Sequence, residues 1–290
     1  MMQESSQQVI ISKSEINYDY TTVKITQSRV EKGLVAIPIA LAKWFPSHNA
    51  IIQVYFDDSP ILQPKNYSSY ESSTNECRIG GMREWFEKND IKSGDEILVQ
   101  LVDKKNYIYR IVSERKFIAK TQDLQRSFDN SESEKRAEEK ITTLARWTCL
   151  DQKKVVLNEF KRLTDTMPSE DRSYFQKRLS RGRESTPACI RILLEAIYQG
   201  HCQVCDFWFL KRDNRPFFEI HHLNPLKGHH PKNLVVACGN CHNQFERAKV
   251  HPEFNNDDWL INVSFNNTTY PVTQALLDIK LKDFIKELFI

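Results

Sequence analysis

The sequence predicts an α+β protein of more than one domain: a β-rich N-terminal barrel with two short helices, a helical connector, and a C-terminal module stapled by a metal. Three observations carry this. Roughly the first hundred residues alternate short Val-, Ile- and Tyr-rich runs with turn signals, the pattern of closely spaced strands in a barrel or sandwich. From Ile141 to Tyr198, apolar residues recur at three- and four-residue steps, the period of a helix. Two C-x-x-C pairs then follow, Cys202/Cys205 and Cys238/Cys241, with 32 residues between them.

The strands are read from VKIT (23–26), GLVAIP (33–38), AIIQVYF (50–56), DEILVQLV (95–102) and NYIYRIV (106–112). The helices are read from IALAKWF (39–45) and GMREWFEKN (81–89), the latter followed by the turn IKSGDE. Residues 119–140 are polar and end in SESEKRAEEK, which suits a linker or an exposed helix. The helical stretch after it contains KKVVLNEFKRL and ACIRILLEAIY, and suits a junction between domains and a dimer surface. The expected division is 1–118, 119–198 and 199–290, with no internal repeat.

Composition narrows the function classes. At 290 residues and 40% hydrophobic content, the chain can hold two domains with cores of their own. No run of eighteen apolar residues occurs, which argues against a membrane span. MMQESSQQVIISKSE lacks the basic-then-apolar order of a secretory signal, so a reducing cytoplasm is the expected location. There, paired C-x-x-C knuckles read as metal ligands rather than disulfides, and Cys77, Cys149 and Cys189 as ordinary thiols. The net charge of +3 neither demands nor excludes nucleic acid. One strip, RSYFQKRLSRGR (172–183), carries five bases and no acid. It suits either a solvated helix end or a phosphate contact through residues such as Arg181 and Arg183.

Four thiolates saturate a tetrahedral zinc ion and leave no position for substrate, so this metal is expected to be structural. What lies between and just after the knuckles is more telling. Glu219-Ile-His221-His222 has the pattern of a strand end, Asn233 opens the apolar run LVVA, and His242 directly follows the last cysteine. Together with the knuckles, this order resembles the HNH nuclease family and its β-β-α-metal fold, over about residues 200–250. The resemblance implies that His222 is the general base, that His221 and His242 hold a catalytic metal, and that Asn233 fixes the loop and helps orient the base. Glu246, one helical turn after His242, stands where many relatives carry histidine. It reads either as a third ligand favouring Mg²⁺ or Mn²⁺ or as a solvated helix acid. Glu219 reads as an exposed strand residue or a partner behind the ligands. His229, His230 and His201 are expected to be loop histidines.

A second resemblance covers about residues 20–112. KITQSRVEKGLVAIPIALAKWFP, then CRIGGMREWFEKNDIKSGDEILVQL, is similar to the DNA-binding pseudobarrel of plant auxin-response-type transcription factors. That fold also serves as the recognition domain of several restriction enzymes. In that family two loops grip the major groove. By position they would be Gln27–Gly33, with Arg29 and Lys32, and Tyr67–Arg78, with Arg78. Arginine can pair with guanine edges and lysine can neutralise phosphate. The same residues also suit solvated loop charges.

Both resemblances together imply a restriction endonuclease that reads double-stranded DNA with the barrel and cuts it with the C-terminal module. Structural zinc and a catalytic Mg²⁺ or Mn²⁺ would be its cofactors. Cutting both strands implies a homodimer. Two alternatives stay open on the sequence: a modification-dependent enzyme whose barrel reads methylcytosine, and a DNA-binding regulator whose nuclease fold is inactive.

Overall fold

The computed structural model describes residues 10–11, 15–69, 77–167, 186–224 and 227–277. The chain divides into two compact units, Met1–Leu124 with Trp147–Cys149, and Gln125–Arg146 with Leu150–Ile290.

The first unit is a nearly closed β barrel. Its strands are β1 (Ile10–Ile11), β2 (Thr21–Lys24), β3 (Val35–Ala36), β4 (Ala50–Phe56), β5 (Leu62–Ser68), β6 (Arg78–Ile79), β7 (Glu96–Asp103) and β8 (Ile108–Ser113). They follow the order β1-β2-β7-β8-β4-β5-β6-β3, antiparallel throughout except for the parallel β4/β8 pair. Alternation sets the core: Ile52, Val54 and Phe56 of β4 point inward, where they meet Ile79, Ile97 and Ile111. Helix α2 (Ile39–Ala42) leads into Phe45, whose ring stacks on Tyr109 at 4.4 Å and on Tyr67 at 5.2 Å. The Tyr109 hydroxyl donates to the Trp44 carbonyl at 2.8 Å and pins the end of this helical segment to β8.

Three features differ from the sequence expectation. Gln27–Gly33 is not a loop: Gln27–Lys32 form helix α1, which Gly33 ends in the left-handed region at φ 62°. The helix is short and has no side-chain cap at its start, so propensity alone does not reveal it. It is held from outside, because Arg83 of α3 (Arg83–Lys88) donates to the Glu31 carbonyl at 2.7 Å. Arg29 and Lys32 therefore lie on a helix end. The second expected loop is also shorter. Tyr67 is a buried residue of β5 and Arg78 belongs to β6, so only residues 69–77 connect strands, and 70–76 fall outside the described residues. Strand β5 itself is hidden in the sequence by Pro64. It is tolerated because β6 runs beside only Tyr67 and Ser68, leaving Pro64 on what is effectively an edge.

Residues 119–140 are largely helical, in α4 (Glu114–Asp129) and α5 (Glu134–Thr148). These helices read as polar because each buries only a narrow stripe, such as Phe117, Thr121 and Phe128 on α4 and Ala137, Ile141 and Leu144 on α5. Within the second unit, α6 (Gln152–Thr166) packs on α7 (Ala188–Tyr198). The fully buried Glu159 carboxylate accepts from Arg162 at 2.7 Å and from Gln125 at 2.7 Å, so that charge is compensated. Residues 168–185 fall outside the described residues, and with them Arg181 and Arg183.

The rest of the second unit is a hairpin of β9 (Glu219–His222) and β10 (Leu234–Ala237), helix α8 (Gly239–Arg247), and a meander of β11 (Val250–Phe254), β12 (Leu260–Phe265) and β13 (Thr268–Pro271). Their shared core contains Val204, Val235, Ala237, Leu260, Val263 and Phe265. Among the described residues, no helix is long and apolar enough to cross a membrane.

Candidate active site and metal centres

The two knuckles meet. The sulfurs of Cys202, Cys205, Cys238 and Cys241 all lie within 4.8 Å of one another. Cys205 is 3.7 Å from Cys238 and 3.5 Å from Cys241. Thiolates at ~2.3 Å from a tetrahedral zinc stand ~3.8 Å apart, so the donor set fits that ion. Cys238 also caps α8, its sulfur accepting from the Cys241 amide at 3.4 Å. Gln203, buried between the first two cysteines, joins the knuckle to its surroundings. Its backbone amide donates to Val236, its side-chain oxygen accepts from the Val236 amide at 2.7 Å, and its side-chain nitrogen donates to the Thr273 carbonyl. The hydrogen bond from Cys241 draws the Cys202 thiol down, while the same contact and burial push Cys241 up. A dication at the centre would favour all four thiolates together.

Strand β9 delivers the other donors. Its pairing with β10 sets His222 opposite Leu234 and His221 opposite Val235. Glu219 and His221, two residues apart, share the strand face toward α8. From the first turn of α8 comes His242, and one turn later Glu246. Donor atoms of His221, His242 and Glu246 fall within 4.8 Å of one another, with His242 Nε2 3.9 Å from the Glu246 carboxylate. Two donors bound at ~2.1 Å to one ion stand roughly 3–4 Å apart, so the cluster fits a single divalent cation with small adjustments. Burial, with help from His242, pushes the His221 imidazole down to about 4, so at neutral pH it presents a lone pair. Its ring stacks on Phe245 at 4.4 Å, and Phe245 packs edge-on against Phe265 of the meander.

Glu219 has a defined place here. Its carboxylate lies 2.9 Å from His242 Nδ1. That contact fixes the ring and leaves Nε2 facing His221 and Glu246, the usual arrangement behind a metal-binding histidine. The sequence offered one clue, its i, i+2 relation to His221 on a strand.

Asn233, buried at the start of β10, acts on the loop. Its side-chain oxygen accepts from the Asn224 amide at 2.9 Å, and its nitrogen donates to the carbonyls of Asn224 and Gly228, each at 3.0 Å. The adjacent histidines correct the loop expectation. His230 is buried, caps the short 3₁₀ helix Pro231–Asn233 by accepting from the Lys232 amide, and contacts the Thr164 carbonyl at 3.1 Å. His229 reaches His222, with Nδ1 3.0 Å from His222 Nε2. No local pattern signals this, because the contact exists only once the loop has folded back.

This strand, loop and cysteine-clasped helix coincide with a known family. Residues 202–247 match the family model for HNH endonuclease. These residues form an HNH endonuclease domain. His221, His242 and Glu246 all lie within the matched residues. No curated protein matches the chain. Among solved structures, a chain of the Arabidopsis FUS3–DNA complex is similar at 15% identity, covering 32% of this chain and 92% of that one, with a TM-score of 0.27.

Proposed function

We propose that the chain is a restriction endonuclease that hydrolyses double-stranded DNA with one catalytic cation per HNH domain. The observation that supports it most is the adjacency of His222 to a three-donor cluster. A candidate base and a candidate metal ligand occupy consecutive positions at one strand end, beside the His221–His242–Glu246 cluster. When bound, the cation neutralises charge on the phosphate and on the leaving 3′ oxygen. His221, His242 and Glu246 would hold it, and Glu219 would orient His242. His222 takes the proton from the attacking water, a task suited to an imidazole near neutral pH. Water adds to phosphorus, the bond to the 3′ oxygen breaks, that oxygen takes a proton from solvent, and 5′-phosphate and 3′-hydroxyl ends remain. Asn233 positions the loop. A zinc ion on the four cysteines would take no part in the chemistry and would keep β9, β10 and α8 in register.

The barrel is the proposed reader, with Arg29, Lys32 and Arg78 as DNA contacts. Since one HNH domain attacks one strand at a time, a homodimer is the working form. His222→Ala tests the assignment. Cleavage of plasmid DNA in Mg²⁺ or Mn²⁺ should fall at least 10³-fold, while zinc content and DNA binding stay as in the wild type. Cutting by the variant at the wild-type rate would remove His222 from the base role.

A further inference from the structure

We infer that His229 is a positioning residue for catalysis: it supports His222 through the contact between their ring nitrogens, and accepts a hydrogen bond from it as His222 becomes charged. This rests on the proposed role of His222 as general base.

The contact is His222 Nε2 to His229 Nδ1 at 3.0 Å, with the rings edge to face at 5.1 Å between centroids. A hydrogen bond between two imidazoles needs one N–H and one lone pair. His222 can take a proton from water only at its other nitrogen, Nδ1, so its Nε2 already carries the N–H and donates to His229 Nδ1, and that bond persists after proton abstraction. His222 is then an imidazolium with N–H on both nitrogens, so Nε2 donates and His229 Nδ1 accepts. Hydrogen bonds from a charged donor are about twice as strong as neutral ones. The interaction therefore strengthens as the water gives up its proton, and an interaction stronger in the transition state than in the ground state speeds the chemical step. His229 acts as an acceptor only, and no proton leaves it.

The loop is built to hold His229 in place. Asn233 grips the carbonyl of Gly228, the residue before it, and also that of Asn224. His230, the residue after it, is buried against Thr164 and caps the 3₁₀ helix. With the chain fastened on both sides of His229, its imidazole is directed at His222 at little entropic cost during the reaction. Through this loop, Asn233 acts on the base indirectly: Asn233 holds Gly228, the loop presents His229, and His229 supports His222.

The test compares full-length wild type, His222→Ala, His229→Ala and His229→Asn in single-turnover cleavage of plasmid DNA with saturating Mn²⁺. The asparagine variant places an acceptor oxygen where Nδ1 stood. His229→Ala should lower the rate at saturating enzyme by roughly 10- to 100-fold. The enzyme concentration giving half-maximal rate and the melting temperature should be unchanged, and His229→Asn should recover most of the loss. A role in loop stability alone would lower the melting temperature and give no rescue by asparagine, which overturns the inference. So does wild-type rate in His229→Ala while His222→Ala is inactive, a result that leaves the nuclease reading intact. An inactive wild type in both Mg²⁺ and Mn²⁺ overturns both.

Discussion

Glu219 and His242 show how one close contact between side chains can set the chemistry of a site. His242 has two nitrogens, and only the one left facing His221 and Glu246 can serve a metal. The 2.9 Å contact with Glu219 makes that choice. Replacing Glu219 with alanine should weaken Mn²⁺ binding at this site about 10- to 100-fold. Calorimetric titration of the zinc-loaded protein reads this directly, and unchanged affinity would show that Glu219 does not orient a ligand. The two imidazoles have a further consequence. Nitrogen donors suit borderline ions better than Mg²⁺, which prefers oxygen. Cleavage should therefore saturate at lower Mn²⁺ than Mg²⁺ concentration, and parallel metal titrations of the cleavage rate decide it. At this scale the sequence was informative about identity and poor on contacts. The meeting of His221 with His242 and of the four cysteines was legible, because the strand-to-helix spacing and the paired C-x-x-C knuckles are themselves the signal. His229 was not, because its partner is seven residues away across a loop whose path depends on Asn233 and His230.

Among the elements, the four-cysteine knuckle and the β9–β10–α8 unit depend on each other. Cys202 and Cys205 come before the hairpin, while Cys238 and Cys241 cap and begin the helix that carries His242 and Glu246. With no zinc, the segment would have to hold that helix on the small core around Val235, Ala237 and Leu260. Structural zinc contributes ~10 kcal/mol or more to folding small modules. Cys238→Ser removes a ligand and weakens the cap, so it should release zinc and abolish cleavage. Loss of zinc without loss of activity, read by metal analysis of the purified variant, would separate the knuckle from the site. The same scale explains the elements that sequence periodicity concealed. Helix α1 is short and is fastened from outside by Arg83, β5 carries a proline on a half-edge, and α4 and α5 bury too narrow a stripe to stand out from their charge. Long runs with one buried face, such as β4 and α7, were evident from their periodicity.

At the scale of the whole molecule, the account joins two units of different character. One is a barrel with bases at a helix end and on a short strand. The other carries an HNH endonuclease domain. The central claim is that the second cuts DNA at places the first selects. The most direct measurement is digestion of a pool of matched methylated and unmethylated DNA by the full chain with Mg²⁺ or Mn²⁺, followed by sequencing of the ends. The account predicts metal-dependent cleavage into 5′-phosphate ends clustered at one recurring sequence on both strands, and none with His222→Ala. Cutting confined to the methylated half would make the barrel a reader of the modified base. DNA that is bound but left whole with either metal would contradict the account.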